Sequence, residues 1–153
     1  MKQDIYTTLI YTRYNRILGK LSYYLLKLLG IEIPLSVQIG KNFLLLHGGN
    51  GVVIHPKTII GNNVRIYNGV SIGRADIHVP KSQTLFKGIE LSDDTIICTG
   101  AKVLCKKGIL CIGKGSVIGA NSVLFQSTGE DEIWAGIPAR HIGTRKREDL
   151  ITF

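Results

Sequence analysis

Four histidines, His47, His55, His78 and His141, are the side chains best suited to exchanging protons near neutrality. An imidazole titrates near pH ~6.5, so it takes a proton from a reacting group and returns it under mild conditions. His47 opens the run HGGNGVVI, where Gly48, Gly49 and Gly51 leave its surroundings open to a substrate. His55, in IHPKTI, reads as a corner residue, and His78 lies in an irregular stretch. Cys98, Cys105 and Cys111 are odd in number and form no C-x-x-C pair. They read as reduced thiols, small apolar residues on strands rather than nucleophiles.

A period of six organises the chain around these groups. Ile33, Ile39 and Leu45 are six apart, as are Ile54, Ile60, Ile66 and Ile72. Leu91, Ile97 and Val103 repeat the spacing, and so do Ile112, Ile118 and Leu124. Neither the 3.6 period of a helix nor the 2 of a strand produces this pattern. A chain wound around a three-sided prism does, with one aliphatic residue pointing to the axis per side and about 18 residues per coil. Four places after the aliphatic residue stand small or β-branched residues: Val37, Thr58, Val64, Val70, Thr95, Ala101, Ser116 and Ser122. Gly40, Gly61, Gly73, Gly113 and Gly119 directly follow the aliphatic residue.

IGNNVRIYNGVSIG and IGKGSVIGANSV resemble the hexapeptide-repeat acyltransferases, and the resemblance covers roughly residues 31–143. It implies a mainly β fold, a left-handed parallel β-helix of hexapeptide repeats with a short N-terminal helical segment. WAGIPAR, from Trp134 to Arg140, is similar to the segment that closes the helix in the acetyltransferases of this family. The expected organisation is a helical segment over 1–30, a β-helix over 31–143 with a loop excursion near 73–90, and a tail over 144–153. In the helical segment Leu9, Ile10, Tyr14, Ile17, Leu18, Leu21, Leu25 and Leu28 recur at helical spacing, with a possible break near Gly19, and Gly30 suits a C-cap. Arg13, Arg16, Lys20 and Lys27 exclude a transmembrane span, leaving contact with a partner subunit or with a membrane surface.

The match is nearest to serine acetyltransferase and its short relatives. IEIPLSVQIGKNFLLLHGGNGVVI resembles the segment that holds the family's catalytic histidine, which corresponds to His47. Glu32, fifteen residues earlier, stands where the family places an acidic partner. Fifteen is close to one coil of 18, which would set the two side by side. The resemblance implies acetyl-CoA as donor, His47 as the general base for a hydroxyl acceptor, Glu32 as its orienter, and direct attack on the thioester. The cofactor groove would take Gly73, Thr99, Gly100, Ala101, Ala120 and Arg140; on charge grounds alone, Lys102, Lys114 and Arg140 are candidates to meet its phosphates, with a solvated side chain as the alternative for each lysine. It would lie between prisms of a homotrimer, where His78 would reach a neighbour's substrate.

Three departures bear on the acceptor. Leu46 stands where serine acetyltransferases carry aspartate, no arginine-histidine-proline follows the loop, and only about 30 residues precede the repeats. A sugar hydroxyl in surface polysaccharide synthesis is therefore the expected acceptor, with serine, in cysteine biosynthesis, as the alternative and a non-catalytic scaffold as the second. A nucleotidyltransferase is disfavoured because the chain lacks room for a nucleotide-binding domain. Zinc enzymes of the same fold need two close histidines, and these four give no H-x-x-x-x-H pair, so no metal is expected.

Composition agrees. Hydrophobic residues make up 44% and charged residues 20%, enough for a packed core. The net charge of +8 suits a phosphate-rich cofactor. No RNP-type aromatics, KH-type GXXG or zinc-finger spacing points to nucleic acid. Without a signal peptide at its start, the chain is expected to be cytoplasmic, with peripheral contact at the inner face of the membrane.

Overall fold

The aliphatic residue of each hexapeptide turns inward, and the residue four places on rounds the next corner. In the computed structural model, which describes residues 5–146, this builds a left-handed prism with three parallel faces. The first face stacks the strands Gln38–Ile39, Thr58–Ile60, Phe86–Leu91 and Gly108–Ile112. The second stacks Leu44–Leu45, Arg65–Ile66, Ile96–Ile97, Val117–Ile118 and Glu132–Gly136, the last paired antiparallel with Ala139–Thr144. The third stacks Val53–Ile54, Ser71–Arg74, Lys102–Cys105 and Val123–Leu124, with Glu32 bridged to Val53 below.

Register makes the core. Leu45, Ile66, Ile97, Ile118 and Trp134 lie one above the other, all buried. Ile54, Ile72, Val103 and Leu124 form a second column. Ile60, Leu91 and Ile112 form a third, with half-buried Ile39 beneath. Each isoleucine removed from water contributes about 1.5–3 kcal/mol. All eight residues of the second set, from Val37 to Ser122, are also buried.

The corners explain the remaining residue choices. Between the first and second faces, Asn42, Asn63, Asp94, Gly115 and Asp131 adopt positive φ. Asn42 donates to Asn63 (3.0 Å) and Asn63 to Asp94 (2.9 Å), so side-chain amides link successive coils. Asn, Asp and Gly tolerate this left-handed region best.

The lowest coil is longer than 18 residues, whereas the coil from Ile54 to Ile72 is 18. Leu45 stacks under Ile66, and coil-to-coil hydrogen bonds there span 21 positions, because Leu46–Gly49 inserts a short 3-10 turn at the corner. The irregular excursion is narrower than 73–90: strand geometry persists to Arg74 and resumes at Phe86. Arg74 donates to buried Asp76 (2.9 Å) and to the carbonyls of Asp76 and Val79, while Thr84 donates to the other Asp76 oxygen. The loop is thereby fixed onto the prism.

Two helices, α1 (Ile5–Thr12) and α2 (Gly19–Leu28), cover the lower end. The Tyr11 hydroxyl donates to the Gly40 carbonyl (2.7 Å) and accepts from the Phe43 amide (3.0 Å), tying α1 to the first coil. A Schellman closure ends α2: Gly30 N–H bonds to Lys27 and Ile31 N–H to Leu26. The expected apolar stripe faces the prism only over its first part, where Ile10 and Leu9 pack on the core and the Tyr14 hydroxyl bonds the Ile39 backbone. Of its eight residues only Ile10 is buried, whereas α2 packs through Gly19, Ser22 and Leu26. Of the expected tail, Thr144 ends the hairpin strand, Arg145 and Lys146 follow it, and 147–153 lie outside the described residues.

Candidate active site

The corner between the second and third faces carries His47. It is exposed and holds a left-handed backbone (φ 53°, ψ 36°), followed by Gly48 and Gly49, also at positive φ. A bulky residue in this region costs about 1–2 kcal/mol and persists where its surroundings hold it. Here the chain must turn sharply out of Leu45 and back into Val52, both buried.

Two tyrosines frame this turn, neither of which sequence reasoning singled out. The Tyr67 ring lies 5.6 Å from the His47 ring, tilted by 50°. Tyr6 of α1 packs over Gly48, where an added Cβ would stand 3.2 Å from its hydroxyl. The signal for Tyr67 was the 21-residue coil, which sets it directly above Leu46.

Glu32 lies on the neighbouring face, beneath Val53. Its carboxylate is 3.8 Å from the Lys27 ammonium at the end of α2. Among the described residues no hydrogen bond or ion pair joins Glu32 to His47. A spacing of fifteen falls short of the 21-residue coil, so the two are not stacked neighbours as the shorter coil had implied.

Above His47 the corner is a track of small residues. Gly51, Gly69, Gly100 and Asn121 occupy equivalent left-handed positions on successive coils. Thr99 donates to Asn68 (3.1 Å), Gly100 follows it, and Ala120 is exposed one coil higher. Arg140 pairs with Ala135 in the closing hairpin, and Ala135 stacks on Gly119. Coils rise about 4.8 Å each. His47, Thr99, Gly100, Ala120 and Arg140 thus follow one edge of the prism, with the cation at its far end.

Other expected residues lie elsewhere. The Ala101 methyl is fully buried, its N–H donates to Cys98 and its C=O accepts from Ser71. Gly73 is on the opposite margin of the third face, open to solvent, with no atom within 4 Å of an added Cβ. Lys102 donates to its own corner, at the Gly69 carbonyl (2.6 Å), and Lys114 stands on the Asn-rich edge. His78 is exposed on the excursion, which leaves from a different corner of the same prism.

The other titratable groups have structural settings. His55 packs edge-on against Phe86 at 4.7 Å, and burial, then Arg74, Lys57 and Lys81, lowers its pKa. His141 lies against Trp134. Burial raises all three thiols, with Glu90 adding to Cys111, so none is an activated thiolate. Among the described residues no three His, Cys, Asp or Glu groups are arranged to hold a metal.

The three-sided coil defines the fold class: it is the left-handed β-helix of the hexapeptide-repeat acyltransferases. Within it the chain is similar to serine acetyltransferases. It is 40% identical over 124 residues to serine acetyltransferase of Bacillus subtilis, an alignment covering 79% of this chain and 53% of the relative. A serine acetyltransferase structure from Brucella abortus superposes with a TM-score of 0.72 at 26% identity, covering 91% of this chain and 57% of that one. A soybean serine acetyltransferase complexed with serine gives 0.68 at 27%, covering 88% and 52%. No family model matches the chain. The chain spans about half the length of the curated relatives it matches.

Proposed function

We propose that this chain is an acetyl-CoA-dependent O-acetyltransferase in which His47 is the general base. What carries this reading is the exposed His47 held in a left-handed turn at the foot of an edge lined by Thr99, Gly100 and Ala120 and ending at Arg140. The pantetheine arm would lie along that edge, its phosphates toward Arg140 and its thioester toward His47.

The acceptor hydroxyl attacks the thioester carbonyl as His47 takes its proton. The tetrahedral intermediate collapses, the C–S bond breaks, and the imidazolium returns the proton to the CoA sulfur. The products are an O-acetyl ester and free CoA, with no covalent enzyme intermediate. Glu32 faces Lys27 and, among the described residues, makes no bond to His47, so no step of this scheme is routed through it.

Serine is the acceptor that the relatives support, in place of the glycan expected from the sequence departures. A sugar hydroxyl remains a second reading on one observation: Leu46, half-buried beside His47, offers no carboxylate where a serine ammonium would seek one. A homotrimer completes the site, since His47 and the His78 excursion occupy different corners and meet only between side-by-side prisms.

The test is release of free CoA from acetyl-CoA by the full chain, with serine, amino sugars and glycan fragments as acceptors. Serine-dependent release that His47→Asn abolishes is the expected result. Release unaffected by His47→Asn, or none with any hydroxyl acceptor, refutes the assignment.

A further inference from the structure

The second helix turns its small residues inward and its large apolar residues outward. Gly19, Ser22 and Leu26 are its buried positions. Leu21, Tyr24 and Leu28 are 57%, 65% and 84% exposed, and Ile17 in the preceding turn is 85% exposed. With Leu25, the helical residues make a complete i, i+3, i+4, i+7 stripe directed away from the prism. A contiguous apolar surface of this kind marks an interaction face.

The charges beside the stripe have one sign. From residue 5 to residue 31 there is no Asp or Glu, while Arg16, Lys20 and Lys27 are exposed. At 100° per residue, Lys20 and Lys27 fall on the same flank of the stripe. Lys27 faces the Glu32 carboxylate at 3.8 Å. Arg13 is buried and donates to the Pro34 carbonyl. The mount is rigid: Ser22 donates to the Leu9 carbonyl, joining α2 to α1, and Tyr11 joins α1 to the prism.

We infer that α2 and the turn before it dock flat on an anionic lipid surface. Leu21, Tyr24 and Leu28 enter the boundary of the acyl chains, and Arg16 and Lys20 meet headgroup phosphates. Charge selects this occupant. A second copy docking through the same face about a twofold axis would oppose Arg16 and Lys20 to their own equivalents, whereas an anionic lipid surface complements them. Among the described residues no helix is long and apolar enough to cross a membrane, so this contact lies on the surface.

The experiment is flotation of the full chain with vesicles of phosphatidylcholine alone or mixed with phosphatidylglycerol. The parent is expected to float with the mixed vesicles, to stay behind with phosphatidylcholine, and to release at high salt. Leu21→Ser/Leu28→Ser is expected to remain unbound with an unchanged circular dichroism spectrum, and Lys20→Gln to bind about fivefold more weakly. Failure of the parent to float with anionic vesicles overturns the inference. So does a Leu21→Ser/Leu28→Ser variant that binds like the parent but loses a self-associated state, which would assign the face to copies of the chain. Lipid binding is read without acetyl transfer, so its outcome is separate from that of the enzymatic reading.

Discussion

Tyr67 stands over His47, the two rings 5.6 Å apart across successive coils, and no other aromatic contact to His47 occurs among the described residues. The tyrosine forms one wall of the glycine corner. Tyr67→Ala is expected to lower kcat/KM for acetyl transfer about tenfold, by loosening the imidazole from its attack geometry. Tyr67→Phe keeps the ring and is expected to retain most activity. Steady-state kinetics of the two variants decide this, and equal losses in both would point to the hydroxyl instead.

His47→Asn separates chemistry from folding. Asparagine tolerates the left-handed backbone at this position, so the thermal midpoint should remain within a degree or two of the parent. Removing a general base should lower kcat by about 10²- to 10⁴-fold. Measuring both on one preparation is the check, and a large fall in thermal midpoint would expose a structural role.

Two glycines of the expected cofactor groove should respond in opposite ways. Gly100 has φ 72°, and an added Cβ would stand 2.1 Å from the Asn121 amide oxygen. Gly100→Ala should destabilise by about 1–3 kcal/mol in denaturant titration. Gly73 has open space around it, so Gly73→Ala should leave stability unchanged. An increased KM for acetyl-CoA in Gly73→Ala would bring that position into the donor site, and an unchanged KM would remove it.

The excursion has an acid limit. Bonds from Arg74 and Thr84 hold the Asp76 carboxyl below the usual carboxylate range. A depressed folded pKa contributes order that is present above the ordinary value of about 4 and is lost as pH falls through the lower folded value. Amide protection factors across residues 75–85, taken relative to the intrinsic rate at each pH, should therefore fall below about pH 4 while the prism strands stay protected. In Asp76→Asn the loop should exchange quickly already at neutral pH. Equal protection in parent and variant would show that the carboxylate does not order the loop.

The prism was legible in the sequence because its period is unlike that of any other element. Ile54, Ile60, Ile66 and Ile72 mark four inward positions in turn, and all are buried. The coil-to-coil offset was not legible. It depends on the extra turn at Leu46–Gly49, and with 21 residues rather than 18 Glu32 stacks under Val53 and Tyr67 above Leu46. The helices were legible by period but not by direction. Leu21, Leu25 and Leu28 form an apolar stripe whichever way it points, and the burial of Gly19, Ser22 and Leu26 shows that the opposite side faces inward. Arg140 was legible as a cation, but its alignment with the His47 edge required the hairpin register with Ala135.

The upper end of the stack closes with a reversal. Glu132–Gly136 runs with the strands below it, but Ala139–Thr144 runs back against it. Every lower rung offers a parallel template to the next, and a prism ending on such a rung would invite another molecule to continue it. The antiparallel last rung withdraws that template, acting as a stopper against end-to-end fibres. Trimming the chain before Ala139 would leave Glu132–Gly136 as an uncovered parallel rung, even though most of the interior would be untouched.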